Sequence, residues 1–258
     1  MRAVSELKAW LGDLAGAAEY AALHGRMATA FSKTYWVEDS ALCIGCGYFH
    51  DWVDATGRAR SYFYVWQNFF AIEAGIASEA QGIAIIKSAD ALYAQVRAKY
   101  NVTNATLWCT PTNLRATLPE DLTVNFDNEY NFGYYENGAC FHWHNGLEIM
   151  ARARVQGPDA AFARFEAAMG VFASTRLWGQ RYSWISDPPG PEGSDVITDA
   201  GVLLYGAVFG SLNVRPNLAG GLTVLGPAAT ALEGASFTFA LLGKDVTVNV
   251  TGGFARIV

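Results

Sequence analysis

Between Asp127 and Glu148 the chain reads DNEYNFGYYENGACFHWHNGLE, a stretch of carboxylates, amides, tyrosines, a tryptophan and two of its four histidines. Side chains of these types suit acid/base chemistry: one carboxyl kept protonated as a donor, a second kept ionised as an acceptor. Glu136 is the first candidate for the ionised partner. It follows two tyrosines and stands just before a helix, whose dipole holds a carboxylate ionised. A structural role, capping that helix or accepting from a ligand hydroxyl, has equal weight. Asp51 and Asp54 are the candidate acids, although Asp54-Ala-Thr-Gly57 is also a common turn sequence. Asn68, Asn137, His142 and His144 can each donate and accept in a planar geometry, which suits hydroxyl recognition. A second constellation is of metal-ligand type: Cys43-x-x-Cys46 with His50, and Cys140-x-His142-x-His144. It is the weaker reading, because no second Cys-x-x-Cys supports it, and no metal or cofactor is expected. A thioredoxin-like role lacks its βαβ context.

The elements that must position these groups are mainly helical. Apolar spacing predicts helices over 5–33, broken around Gly12 to Gly16, and over 62–77, 78–100, 140–155, 159–175 and 195–212. Gly157-Pro158 is a stop and restart. After Leu212 the pattern changes to strand-like runs at 236–242, 246–250 and 254–258, with Gly243-Lys244 as a hairpin turn. The chain therefore reads as a helical part, 1–212, and a small antiparallel β appendage, 213–258, which has too few strands to stand alone and must pack on the helices. Long connections (34–61, 101–139, 176–194) alternate with tight turns near 78 and 157. In an antiparallel arrangement every long connection then lies at one end. The helices starting near 62, 140 and 195 point their N-termini into that end, and as the more apolar set they are expected to be buried on all sides.

Seven of the eight tryptophans (36, 52, 66, 108, 143, 178 and 184) fall in the long connections or at the start of one of these inner helices; Trp10 is the exception. Such a bias favours a cleft walled by flat apolar faces, which pack against the C–H faces of sugar rings. Trp36, Trp52 and Trp66, with Tyr134 and Tyr135, are the candidate aromatic contacts.

Composition excludes other classes. At 258 residues, with 52% hydrophobic and 16% charged residues, the chain has the material for a core. No apolar run is long enough to cross a bilayer, so no membrane partner is expected. A net charge of −6 and a pI near 5.2 argue against nucleic acid. The first residues lack the apolar core of a signal peptide, so a cytoplasmic location is expected as the sequence stands. The sequons at Asn101, Asn104 and Asn249 matter only if an upstream segment directs the protein into the secretory route. Four cysteines in a chain of this size do not suggest a disulfide framework.

Several segments, in order, resemble the six-hairpin (α/α)6-barrel glycosidases. Thr34-Tyr-Trp36 and Gly47-Tyr48-Phe-His-Asp51-Trp52-Val-Asp54-Ala-Thr-Gly57 are similar to a family stretch of the form G-Y-x-D-W-x-D-x-x-G. Asn68-Phe-Phe-Ala-Ile-Glu-Ala-Gly75 is similar to the inner helix that follows it. Tyr135-Glu136-Asn137-Gly138 resembles a Y-x-N-G-G element, with Ala139 replacing the second glycine. Arg176-Leu-Trp178 through Tyr205, then Gly221-Leu222-Thr-Val and the β tail, resemble the last hairpin and C-terminal β domain. The resemblance implies a partial (α/α)6 toroid of antiparallel helical hairpins. A complete ring takes about twice the helices read here, so the rest would come from an upstream segment or a second copy. It also implies a carbohydrate substrate and acid/base glycoside hydrolysis, by inversion if the two carboxyls stand roughly 6.5–9.5 Å apart. Two departures open alternatives. The family's upstream E-x-G-x-D acid element is absent, and Gln180-Arg-Tyr182 stands where some members carry a basic glutamate. Carbohydrate binding without cleavage is therefore one alternative. A disaccharide phosphorylase-like reaction, with a histidine near the Y-x-N-G element holding phosphate, is the other.

Overall fold

A computed structural model describes residues 1–102, 109–118, 121, 132–133, 137–175, 181–183, 190–192, 197–218, 221–241 and 243–258. The first expected helix is two, α1 (Arg2–Trp10) and α2 (Leu14–Tyr35). The break is where Gly12 adopts a φ of 83° and Asp13 caps α2 by accepting from Gly16 N–H at 2.8 Å. The connection 34–61 folds into two short antiparallel ladders. In the first, β1 (Trp36–Glu38) pairs with β2 (Gly47–Phe49); in the second, β3 (Trp52–Val53) pairs with β4 (Ala59–Arg60).

The next helix is shorter than its apolar pattern. α3 spans only Val65–Glu73, because Phe63 sits at a φ of 54° and its neighbours' N–H groups are bonded to Asp51. α4 (Glu79–Tyr100) opens with a reciprocal cap, Gln81 N–H to Ser78 Oγ and Ser78 N–H to Gln81 Oε1, and ends at Asn101 in the left-handed region. Cys140–Phe141 form strand β5 rather than the expected first turn of helix, so α5 runs from His142 to Gln156. α6 (Pro158–Thr175) follows with proline at its first position. β5 pairs with β6 (Arg181–Ser183), which pairs with β7 (Gly190–Glu192). α7 (Ile197–Gly206) continues into a π-helical turn, Ala207–Ser211.

α5 is the central helix, packing against α3, α4, α6 and α7. It is buried on nearly every face, as expected of an inner helix. The same expectation does not hold for α3 and α7, which leave Trp66, Phe70, Leu204 and Tyr205 exposed. The described helices form no closed ring. One apolar cluster joins β2, α3 and α4 through Phe49, Phe69, Ile85 and Leu92; a second joins α4, α5 and α6 through Val96, Ile149 and Ala161.

At the C-terminal end, hairpin β8 (Val214–Pro216) and β9 (Leu222–Val224) precedes a meander of β10 (Ser236–Leu241), β11 (Lys244–Thr251) and β12 (Phe254–Ile257). Leu241 pairs with Lys244, so Lys244 belongs to the strand and not to the expected Gly243-Lys244 turn. Val248 and Val250 are buried with Leu212 and Val214, and Asp159 of α6 accepts from Thr230 N–H and Oγ. The strands thus gain the apolar cover that three strands alone cannot provide.

The cysteines require a correction. Cys43 is bonded to Cys46 and Cys109 to Cys140, with Cα separations of 5.2 and 5.7 Å that suit the bridge. As disulfides, these sulfurs are not the thiolates that the zinc constellation needs. The second bridge was hidden from the sequence because 31 residues separate its partners.

Candidate functional site

The starts of α3 and α5 meet. Segment 109–114 runs between them: Val65 N–H donates to Thr112 O, and Thr112 N–H to Ala139 O, both at 2.9 Å. Cys109 is tied to Cys140 at the head of α5. At this junction lies a cleft of about 370 Å³, walled by Trp52, Tyr64, Trp66, Trp143 and Phe141, with Gln67, Thr112 and His144 completing it. Trp66 and Trp143 face each other with ring centroids 6.4 Å apart, and Trp52 packs on Tyr64 at 6.3 Å. Both helix dipoles turn their positive ends here, which attracts ligand oxygens, although Val65 N–H itself is taken by Thr112 O. A larger cavity, about 860 Å³, lies between α1 and the β8–β9 hairpin; it holds none of the candidate residues.

Of the predicted residues, Trp52, Trp66 and His144 line the cleft. Burial holds the His144 imidazole down to about 3, against a smaller upward pull from the Thr110 backbone, and holds His142 down to about 4. Both are therefore neutral near pH 7. Trp36 instead belongs to the core, edge-on to Phe49 at 5.1 Å. Its ring is so close to Gly47 that a Cβ there would fall 2.5 Å from Cζ2.

The two asparagines are structural fasteners. Asn68 is fully buried; its Oδ1 accepts from Phe49 N–H at 2.9 Å and its Nδ2 donates to Tyr64 O at 3.2 Å, which locks β2 to the start of α3. Asn137 Oδ1 accepts from Thr117 N–H at 2.9 Å. Glu136, Tyr134 and Tyr135 lie outside the described residues.

Neither aspartate lines the cleft. Asp54 accepts from the N–H groups of Thr56 and Arg58 and from Thr56 Oγ, which holds its carboxyl below the ordinary range. It is the turn former that its sequence also suggested. Asp51 accepts from Tyr62 N–H and, at 2.8 Å, from Tyr64 N–H. Burial lifts its carboxyl to about 6, although these N–H groups pull the other way. A carboxyl whose folded value is raised contributes stability below its unfolded value, near 3.8, and loses it as pH rises through about 6. Asp51→Asn is expected to cost about 1–3 kcal/mol, since one backbone N–H faces an amide NH₂, and to abolish this pH-dependent part. Urea unfolding at several pH values checks it; a wild-type-minus-variant difference that does not change with pH counts against the assignment.

The residues missed as contacts are Tyr64, Gln67, Thr112, Phe141 and Trp143. Trp143 carried a signal, its place in the first turn of an inner helix. Thr112 carried none, since it reaches the cleft only because the 109–114 segment is strapped between two helix starts. No protein-family model matches the chain, and no curated protein matches it in sequence.

Proposed function

We propose that the cleft at the starts of α3 and α5 binds a neutral carbohydrate. Three tryptophans from separate elements around one cavity carry this reading. Trp52 comes from β3, Trp66 from α3 and Trp143 from α5, so the fold has gathered apolar ring faces that are far apart in the chain. The uncharged His144 and two helix N-termini supply polarity without net charge, which favours hydroxyls over ions. Within this reading α3, α5 and α7 act as inner helices and α4 and α6 as outer ones, an arc of an (α/α)6 toroid. Binding is favoured over cleavage by the described carboxyls, because Asp51 spends both oxygens on backbone N–H groups and Asp54 is held in its own turn, and neither lines the cleft. If the reaction is glycoside hydrolysis, Glu136 is its base. The two disulfides favour an oxidising compartment over the cytoplasm.

Titration calorimetry against a panel of oligosaccharides tests the proposal. Trp66→Ala and Trp143→Ala, each checked for an unchanged melting curve, are expected to weaken binding about tenfold or more. Affinity should show no histidine titration between about pH 5 and 8, because both imidazoles are already neutral there. Unaltered affinity in both variants, or no saturable binding to any sugar, refutes the site. Product release from a glycoside by wild type but not by Glu136→Gln would establish the hydrolytic reading.

A further inference from the structure

Where α4, α5 and α6 meet, a second groove of about 490 Å³ is lined by Asp90, Arg97, Glu148, Arg152 and Arg164. Ala160, Ala163 and Ala167 of α6 are too short to fill it. Its charges are three guanidinium groups against two carboxylates, and the carboxylates are already taken. Glu148 lies within 3.0 Å of the Nε atoms of Arg152 and Arg164, and Asp90 accepts from Arg152 at 2.5 Å. Arg152 spends its third nitrogen on Gln156 at 3.1 Å, and Arg164 bonds Thr110 at 3.0 Å. What remains over is donors. Among the described residues Arg97 has no ion pair, with its Nε buried and without an acceptor, and Nη1 of Arg164, whose side chain is 7% exposed, likewise has none. Buried N–H groups without acceptors are costly and leave both guanidiniums short of partners; a ligand in the groove meets Arg97 through the partly exposed part of its side chain, not through the buried Nε.

We propose that this groove binds a small oxyanion of the carboxylate or phosphate type, with Arg97 as its principal ligand and Arg164 beside it. A guanidinium offers two parallel N–H bonds to two oxygens of such a group. Among the described residues the one carboxylate oxygen left over, Asp90 Oδ2, is on a half-exposed side chain beside Arg152, a poor cation site, and a neutral molecule leaves the surplus positive charge unanswered. The site is separate from the aromatic cleft and independent of the carbohydrate reading.

The test uses the intact chain with inorganic phosphate and with acetate, each compared with chloride at equal ionic strength. Phosphate, acetate or both should raise the melting temperature by about 2 °C or more at tens of millimolar, as a ligand that binds only the folded state does. The anion that acts identifies the headgroup. Arg97→Gln should weaken calorimetric binding about fivefold or more, and Arg97→Lys, which keeps the charge but not the fork, should fall between. Arg97 has no described partner to lose, so both variants should fold, and Arg26→Gln on the exposed face of α2 should bind like wild type. Equal response of wild type and Arg97→Gln, or no response to either anion beyond chloride, overturns the proposal.

Discussion

Replacing Glu148 with Gln is expected to destabilise the protein by about 3–5 kcal/mol, the usual cost of leaving a buried charge without its partner. The carboxylate is wholly buried, accepts from Tyr93 Oη at 3.0 Å, Thr110 Oγ and Arg152 Nε at 2.8 Å, and forms an ion pair with Arg164, whose Nε stands 3.0 Å away. Burial by itself would raise this carboxyl; Arg164 and Arg152 outweigh it and bring it down to about 2, below the ordinary 4.5. With the folded value depressed, its contribution is complete above the unfolded value and is lost as pH falls from about 4.5 towards about 2. Glu148→Gln should lose that acid dependence as well as the stability. An amide of the same shape leaves two guanidinium groups facing each other across a dry site. Since a domain is stable by only about 5–15 kcal/mol, this single change should bring it near the unfolding threshold. Adding Arg164→Met should recover part of the loss by removing one stranded charge, a non-additivity that a double-mutant cycle in urea measures. A loss below about 1 kcal/mol for Glu148→Gln would mean that water reaches the network.

Gly146→Ala should be nearly as damaging, although it adds one methyl group. α5 and α7 touch backbone to backbone. A Cβ on Gly146 would stand 2.2 Å from Val202 O and 2.7 Å from its carbonyl carbon, and one on Gly206 would stand 2.7 Å from Gly146 Cα. Neither obstruction is a side chain that can rotate away, so the helices would have to part along their length. The expected cost is about 3 kcal/mol or more, at the upper end for overpacking. Gly170→Ala in α6, where a Cβ meets nothing within 4 Å, should be neutral or stabilising by up to about 1 kcal/mol. Thermal melts of the two variants decide it; equal stability would show that the α5–α7 contact is looser than this geometry requires.

What could be read from the sequence follows the reach of each signal. Breakers and period act over a few residues, so the break at Gly12, the tight turn near 78, the restart at Pro158 and the three C-terminal strands were legible in order and nearly in extent. Connection parity reached further and anticipated that α3 and α5 would open into the same place, where Trp52, Trp66 and His144 meet. The Glu148–Arg152 pair was also within local reach, one helical turn apart, but Arg164 and Tyr93 were not.

Residue types alone did not reveal which polar groups are spent. Asp51, Asn68 and Asn137 have the chemistry of a binding site, and each holds backbone groups of segments brought beside it only on folding, whereas Asp54 is taken up by the turn that its own sequence suggested. The Cys109–Cys140 bridge, the seating of Thr112 beside Trp143, and the unanswered donors of Arg97 were likewise set by tertiary structure. Sequence by itself determined the order of the helices and of the three C-terminal strands, and that aromatic and polar groups gather at one end of the helices. The tertiary structure decided which of those groups face a cavity, because a hydrogen-bond partner or an open wall depends on segments that are distant in the chain.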